Sequence, residues 1–206
     1  MKLTAQTFLT VDGVMQAPGG PDEDQDNAFE HGGWSAAYGD DDFGAAVVEW
    51  MAQADGFLLG RKTYEIFASY WPQFTDPAHP VASRLNTLPK YVASTTLTSV
   101  DWNNSTLLGS DVVSEVAKLK EHPGRELQVH GSGQLAQTLI DADLIDEYWL
   151  YYFPVHLGTG KKLFREGAPA RALKLMDSRT TSTGVIIARY QPDGPVRYGT
   201  VGAEAE

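Results

Sequence analysis

The chain has 206 residues, 42% of them hydrophobic, which is enough for one sizeable core and rather few for two. Its net charge of −11 argues against a nucleic-acid-binding surface, because such surfaces neutralise phosphates. The absence of cysteine excludes disulfides and thiolate metal sites, and the five histidines are too scattered to predict a metal site. No segment approaches the ~20 apolar residues that span a bilayer. We therefore expect a cytoplasmic protein that acts neither on membranes nor through a metal.

Strand and helix patterns alternate along most of the chain and give way to strands alone at the end. Residues 2–9 predict a first strand, and a long loop rich in glycine and acidic residues follows over 12–42. A loop of that length is typical of a lid or binding loop, unless it contains unrecognised structure. The other predicted strands cover 57–59, 90–94, 106–108, 126–130, 147–155, 171–177 and 184–191. The predicted helices begin at Phe43, Lys62, Val112 and Gln134.

This order of elements predicts an α/β fold. Helices between the early strands and bare strands late in the chain favour a mixed, mainly parallel sheet that ends in antiparallel strands at one edge. We expect a single domain over residues 1–191, followed by a frayed tail over 192–206.

Two segments, 57–65 and 129–136, share one pattern: a short strand stops at a glycine and a helix pattern begins. The first turn of a helix presents unpaired backbone N–H groups, and a glycine lets a phosphate approach them closely, so two such turns predict a ligand with two phosphate groups. Residues 131–136 fit G-x-G-x-x-A, but their late position disfavours a standard Rossmann site. An alternative is that Gly131 and Gly133 only form a tight turn with Ser132 as a helix cap.

The order of the motifs carries a family resemblance. A first strand leads into Val-Asp-Gly-Val-Met at 11–15, and Leu-Gly-Arg-Lys-Thr-Tyr-Glu follows at 59–65. Val-His-Gly-Ser-Gly at 129–133 precedes Gly-Thr-Gly-Lys-Lys-Leu-Phe at 158–164. Together they resemble the dihydrofolate reductase superfamily, in its branch with the reductase domain of the bifunctional riboflavin-biosynthesis deaminase/reductase. The resemblance implies a three-layer α/β/α fold, NADPH as cofactor and reduction of a pyrimidine in riboflavin synthesis.

The resemblance also implies where NADPH lies, across the carboxyl ends of the strands. Arg61 or Lys62 would meet its 2′-phosphate through charge-assisted hydrogen bonds, which predicts NADPH rather than NADH. The adenosine side would be held by Gly60, Arg61, Lys62 and Thr63, and the adenine ribose by Ser94 and Thr95. The pyrophosphate would lie on Gly131, Ser132, Gly133, Gln134 and Leu135, and the nicotinamide near Val14, Met15 and Gln16.

The chemistry and assembly are predicted less directly. Asp42, in the acidic triplet 40–42 ahead of a helix, matches the carboxylate that holds the pteridine in the folate enzymes, although acidic residues at a helix start often serve only the helix dipole. His130, next to the second glycine turn, could touch a cofactor phosphate or the nicotinamide ribose, but we expect it to be satisfied by backbone; Tyr151 and Phe153 are expected to be core or interface residues. We expect a small-molecule substrate and a homodimer formed through edge strands. Two alternatives to a reductase stay open: a non-catalytic dinucleotide-binding protein, and a structural or assembly protein that has lost the cofactor site.

Overall fold

The computed structural model describes residues 1–201, which form one eight-stranded sheet with helices on both faces. The strands are β1 (Lys2–Thr10), β2 (Ala54–Gly60), β3 (Lys90–Ala93), β4 (Ser105–Leu107), β5 (Glu126–His130), β6 (Glu147–Phe153), β7 (Leu173–Thr180) and β8 (Ile186–Pro192). The helices are α1 (Asp41–Met51), α2 (Arg61–Tyr70), α3 (Ala82–Thr87), α4 (Val112–Glu121) and α5 (Gly133–Asp141).

The strands lie in the order β4-β3-β2-β5-β1-β6-β8-β7. Neighbouring strands from β4 to β6 are parallel, whereas β8 is antiparallel to both β6 and β7. The predicted mixed, mainly parallel sheet with antiparallel strands at the C-terminal edge is confirmed. The carboxyl ends of β1, β2 and β5 consequently meet at one edge of the sheet, where both predicted glycine turns lie.

The core has two halves because successive residues of a strand point to opposite faces. Leu58 of β2 packs on the side of α4 and α5, with Val116 and Leu139. Its neighbour Phe57 packs on the other side, where Trp50 of α1 belongs to the same cluster. These two clusters make the three layers that the family resemblance implies.

Three local features differ from the sequence prediction. The connection at 71–89, predicted without a helix, contains α3, and the loop at 11–40 contains short 3-10 turns at Asp26–Ala28 and Ala36–Tyr38. Backbone hydrogen bonds join Ala172 to Asp193 and Gly194, so pairing continues just past the predicted start of the tail. Residues 202–206 of that tail lie outside the described part. Within residues 1–201, no helix is long and apolar enough to cross a membrane.

Candidate functional site: two helix starts and a buried polar group

The two glycine turns, far apart in sequence, contact each other. Strands β2 and β5 are parallel neighbours, with Leu58 opposite Val129, so the turns that follow them lie side by side. The Gly60 N–H donates to Ser132 Oγ at 2.8 Å, and the Ser132 N–H donates to Thr63 Oγ1 at 3.2 Å. Helices α2 and α5 therefore begin next to each other at the carboxyl edge of the sheet.

These hydrogen bonds decide which amides a ligand can use. The amides of Gly60 and Ser132 are occupied within the protein, so the prediction that both turns present unpaired amides is wrong at these two positions. Ser132 does not cap α5 either, since its side chain makes no cap hydrogen bond and its backbone is left-handed at φ 51°. Helix α2 also has no side-chain cap, which leaves the first-turn amides of residues 61–63 and 133–135 for an anion.

The loop predicted to lie near the nicotinamide meets the second turn. Val14 pairs with Lys162 as an isolated antiparallel bridge, and the Met15 N–H donates to the carbonyl oxygen of Lys161 at 2.8 Å. A Cβ added at Gly133 would come within 3.0 Å of Met15 Sδ, so the thioether rests directly on the start of α5. The structure thus brings together three of the predicted cofactor-binding segments.

The two predicted phosphate-binding cations are both engaged with carboxylates. Arg61 Nη1 donates to both carboxylate oxygens of Glu65, one turn along α2, at 2.9 and 3.3 Å. Lys62 Nζ reaches across to the acidic loop and contacts Asp24 at 3.0 Å and Asp26 at 2.6 Å. Side chains that are 40% and 44% exposed can exchange these partners for a ligand, since such surface pairs contribute about 0–1 kcal/mol.

The remaining predicted cofactor residues are less engaged with the turns. Ser94 lies just after β3, where its Oγ accepts from the amides of Thr96 and Leu97 and shapes its own loop. Thr95 and Gln134 are exposed, and Leu135 packs into the core, so Leu135 offers a ligand only its backbone. The assignment of Ser94 and Thr95 to the adenine ribose stays a prediction.

The acidic triplet at the start of α1 stabilises that helix. Asp40 caps α1 by accepting from the Phe43 N–H at 2.7 Å, and its second oxygen accepts from Ser182 Oγ at 2.7 Å. These hydrogen bonds, the one from Phe43 foremost, lower the pKa of Asp40 to about 2. Asp42 is exposed in the first turn of α1. This exposure favours the helix-dipole alternative over the catalytic role predicted for Asp42.

Several enclosed polar side chains on the α1 and α2 side of the sheet have unpaired atoms, and four of them come from β1, β5, β6 and α1. Within the described residues, Gln6 Nε2, Trp50 Nε1, His130 Nε2 and Tyr151 OH are enclosed and make no hydrogen bond of good geometry, although the Gln6 side chain lies near enough to the Tyr151 hydroxyl to oppose part of the rise in its pKa. Gln6 lies opposite His130 in the pairing of β1 with β5, and the rings of His130 and Trp50 are 4.5 Å apart. We call these four residues the buried polar group. An unpaired buried polar atom costs about 1–3 kcal/mol; Gln6 and Tyr151 can satisfy each other, but Trp50 Nε1 and His130 Nε2 are left to a partner such as water or a ligand.

Burial fixes the charge of this group. Desolvation lowers the pKa of His130 to about 3, so the imidazole is neutral at neutral pH. Desolvation also raises the pKa of Tyr151, which keeps its hydroxyl protonated. The group therefore offers neutral donors and acceptors, and nothing in it favours a charged ligand.

Sequence reasoning missed this group. His130 was expected to be satisfied by backbone, and that prediction is wrong for its Nε2 atom. Tyr151 does lie in the core as expected, yet its hydroxyl is unpaired. The available signal was the alternation in β1, which places Gln6 on the same face as Phe8, whose ring contacts Phe43 of α1 at 5.3 Å.

Comparison with known protein families shows to which family this chain belongs. The family described as RibD C-terminal domain matches residues 1–187. The chain belongs to this family. This RibD C-terminal domain is 33% identical over 148 residues to the uncharacterized protein YyaP of Bacillus subtilis (strain 168), and the match covers 71% of the chain and 78% of YyaP.

Solved structures show the same fold for this RibD C-terminal domain. A proposed riboflavin biosynthesis protein from Shewanella sp. PV-4 superposes with a TM-score of 0.66 at 23% identity, covering 94% of this chain and 99% of that one. A diaminohydroxyphosphoribosylaminopyrimidine deaminase/5-amino-6-(5-phosphoribosylamino)uracil reductase from Thermotoga maritima gives 0.61 at 14% identity, over 93% of this chain and 56% of that one. The fold predicted from the motifs is confirmed.

Proposed function

We propose that this protein is an NADPH-dependent reductase that transfers hydride to a C=N or C=O carbon of a small heterocyclic or sugar-linked substrate. The reference activity is the reduction of 5-amino-6-(5-phosphoribosylamino)uracil, for which the Thermotoga maritima relative is named. The observation that carries the proposal is the contact between the two glycine turns, at 2.8 Å from Gly60 N to Ser132 Oγ. That contact sets two helix starts side by side, as one dinucleotide requires.

The residues at this edge fit a ligand with separated anionic groups. The first turns of α2 and α5 would hold the pyrophosphate and the 2′-phosphate side through backbone amides, with Lys62 adding positive charge. Met15, which rests on Gly133, would lie against the nicotinamide. When bound, NADPH supplies the hydride. The contribution of the chain is to orient the cofactor and to exclude water.

The buried polar group supports a substrate site on the α1 and α2 side of the sheet. Its neutral donors and acceptors suit the carbonyl and amide edges of an uncharged heterocycle. Because burial keeps His130 neutral, we assign it hydrogen bonding to the substrate rather than proton donation. The four unpaired atoms are enclosed, so a substrate reaches them when side chains of α1 or α2 move aside.

Binding and turnover test the proposal separately. We expect NADPH to raise the thermal unfolding temperature more than NADH at equal concentration, since a ligand at 100 times its dissociation constant stabilises a protein by about 2.7 kcal/mol. Loss of NADPH absorbance with pteridines, pyrimidine ribitol precursors or small carbonyl compounds would support the reductase. Cofactor binding without oxidation across this panel would favour the non-catalytic dinucleotide-binding alternative.

A matched pair of variants tests the cofactor residues. Arg61→Ala should weaken binding of NADPH and leave that of NADH unchanged, because only the first carries the 2′-phosphate. Lys118→Ala is the control, since Lys118 is an exposed lysine of α4 that contacts Glu115 at 2.8 Å, away from both turns. Equal NADPH affinity in wild type and Arg61→Ala would contradict the assignment of Arg61, and no measurable NADPH binding by either protein would favour a role without a cofactor.

We also propose that the protein forms a homodimer through β7 and acts in the cytoplasm. Strand β7 is an edge strand with both faces open, and its Leu175 and Met176 are 51% and 40% exposed. An edge of this kind pairs readily with another strand. Sedimentation should show a dimer that Met176→Lys weakens, and a monomer at every concentration would contradict the assembly.

A further inference from the structure

Two lysines and two aspartates form an ionic cluster where the acidic loop crosses the start of α2. Lys62 Nζ contacts Asp24 and Asp26 at 3.0 and 2.6 Å, and Lys161 Nζ contacts the same two carboxylates at 2.6 Å each. Lys62 belongs to the first glycine turn, and Lys161 precedes the residue that pairs with Val14. We call this cluster the ionic latch. It links the acidic loop to the first turn of α2 and to the segment beside the Val14–Lys162 bridge, and both border the proposed cofactor site.

Gln16 fixes the backbone of the latch. Its Nε2 donates to the carbonyl oxygens of Asp24 and Asp26 at 3.1 and 3.0 Å, and its Oε1 accepts from the Lys161 N–H at 3.0 Å. The loop also contains two consecutive left-handed residues that are not glycine, Asn27 at φ 58° and Ala28 at φ 54°. This conformation is unfavourable for residues with a side chain and persists only where other contacts hold it.

The carboxylates of the latch stay charged. Hydrogen bonds from Lys161 and then Lys62 lower the pKa of Asp26 to about 2. Partial burial raises the pKa of Asp24, but the hydrogen bonds from the same two lysines lower it overall. Two carboxylates therefore pair with the same lysine ammonium groups that a bound phosphate would pair with.

We propose that the acidic loop is an intramolecular competitor for the phosphate groups of the cofactor: Asp24 and Asp26 hold Lys62 and Lys161, and an incoming phosphate must displace them. This proposal rests on the proposed cofactor site and adds its regulation. Cofactor affinity then depends on how much more strongly the two lysines bind phosphate than they bind the carboxylates of the loop. NADPH binding releases the loop.

The test removes the carboxylates. The double variant Asp24→Asn/Asp26→Asn should bind NADPH roughly 3- to 20-fold more tightly than wild type, the gain expected when two partly exposed ion pairs no longer compete. Asp22→Asn is the matched control: it removes one charge from the same loop, but the Asp22 carboxylate accepts from Gln25 and contacts no lysine. Adding Lys62→Met to the double variant should abolish the gain.

Inorganic pyrophosphate separates this proposal from the proposed function. It should also bind the double variant more tightly than wild type, even if NADPH binds neither, and that result would keep the latch while refuting the cofactor. Weaker NADPH binding by the double variant would show that the loop helps to bind the cofactor and would overturn the latch. Unchanged binding of both probes, or no binding of either, would overturn it as well. Thermal unfolding of each variant checks that it is folded.

Discussion

The neutral, buried His130 should make the protein sensitive to acid in a way that can be calculated. Its pKa in the folded state is about 3, against 6.5 in an ordinary environment. The unfolded chain therefore binds a proton between these values while the folded chain does not, so the free energy of unfolding falls as pH drops below 6.5. The whole shift corresponds to about 5 kcal/mol at 1.36 kcal/mol per pH unit, and about 2 kcal/mol of it is already lost at pH 5.

Urea unfolding at about pH 7.5 and about pH 5 measures this loss. His130→Leu replaces the imidazole by a side chain of similar size among the rings of Trp50, Phe57 and Phe67. We expect wild type to lose about 2 kcal/mol more than His130→Leu between the two pH values. His122→Leu is the control, because His122 is exposed, and it should keep the wild-type loss. Equal pH dependence in wild type and His130→Leu would refute the reasoning.

Three further substitutions test the loops of the site. Gly160→Ala should destabilise the protein by about 2–4 kcal/mol in urea unfolding, because its φ is +122° and the new Cβ would lie 2.6 Å from Val14 Cγ1; a change under 0.5 kcal/mol would contradict the packing. Ser132→Ala leaves the Gly60 amide without its acceptor, so we expect about 1–3 kcal/mol of destabilisation by thermal unfolding and weaker NADPH binding in calorimetry, and unchanged values in both would count against the paired turns. Desolvation raises the pKa of Asp12, but hydrogen bonds from Thr10, Gly158 and Leu157 lower it to about 2 overall. Asp12 therefore stabilises the folded wild type above about pH 4, and this contribution is lost as the pH falls toward 2. Asp12→Asn should lack it, and equal pH dependence of wild type and Asp12→Asn in denaturant unfolding between about pH 4 and pH 2 would contradict the prediction.

Much of the fold could be predicted because its signals are local. The alternation of apolar residues located all eight strands of the described residues within three residues of their observed ends, and the glycine turns marked where α2 and α5 begin. Helix α3 was missed because it has six residues in a proline-rich connection, too few to show a helical period. β2 was predicted only as its apolar part, since Ala54 and Gly56 carry no strand signal.

The site was predictable only in part because its contacts are not local. The motifs identified the two glycine turns, which do lie side by side. The hydrogen bond from Gly60 to Ser132, however, joins residues 72 positions apart, and no pattern within either turn predicts it. The same holds for the contact of Lys62 with Asp24, across 38 residues. Three members of the buried polar group come from three different strands, so their proximity depends on strand order, which sequence periodicity does not contain.

The central position of β1 bears on how the chain is made. Its partners are β5 and β6, so both edges of β1 can be paired only after synthesis has continued from the end of β1 to residue 153. At about 5–20 residues per second that delay is roughly 7 to 30 s, during which an apolar strand is open to other nascent chains. Holding chaperones should therefore associate with ribosome-bound chains that stop before β5, and release them once β6 has emerged.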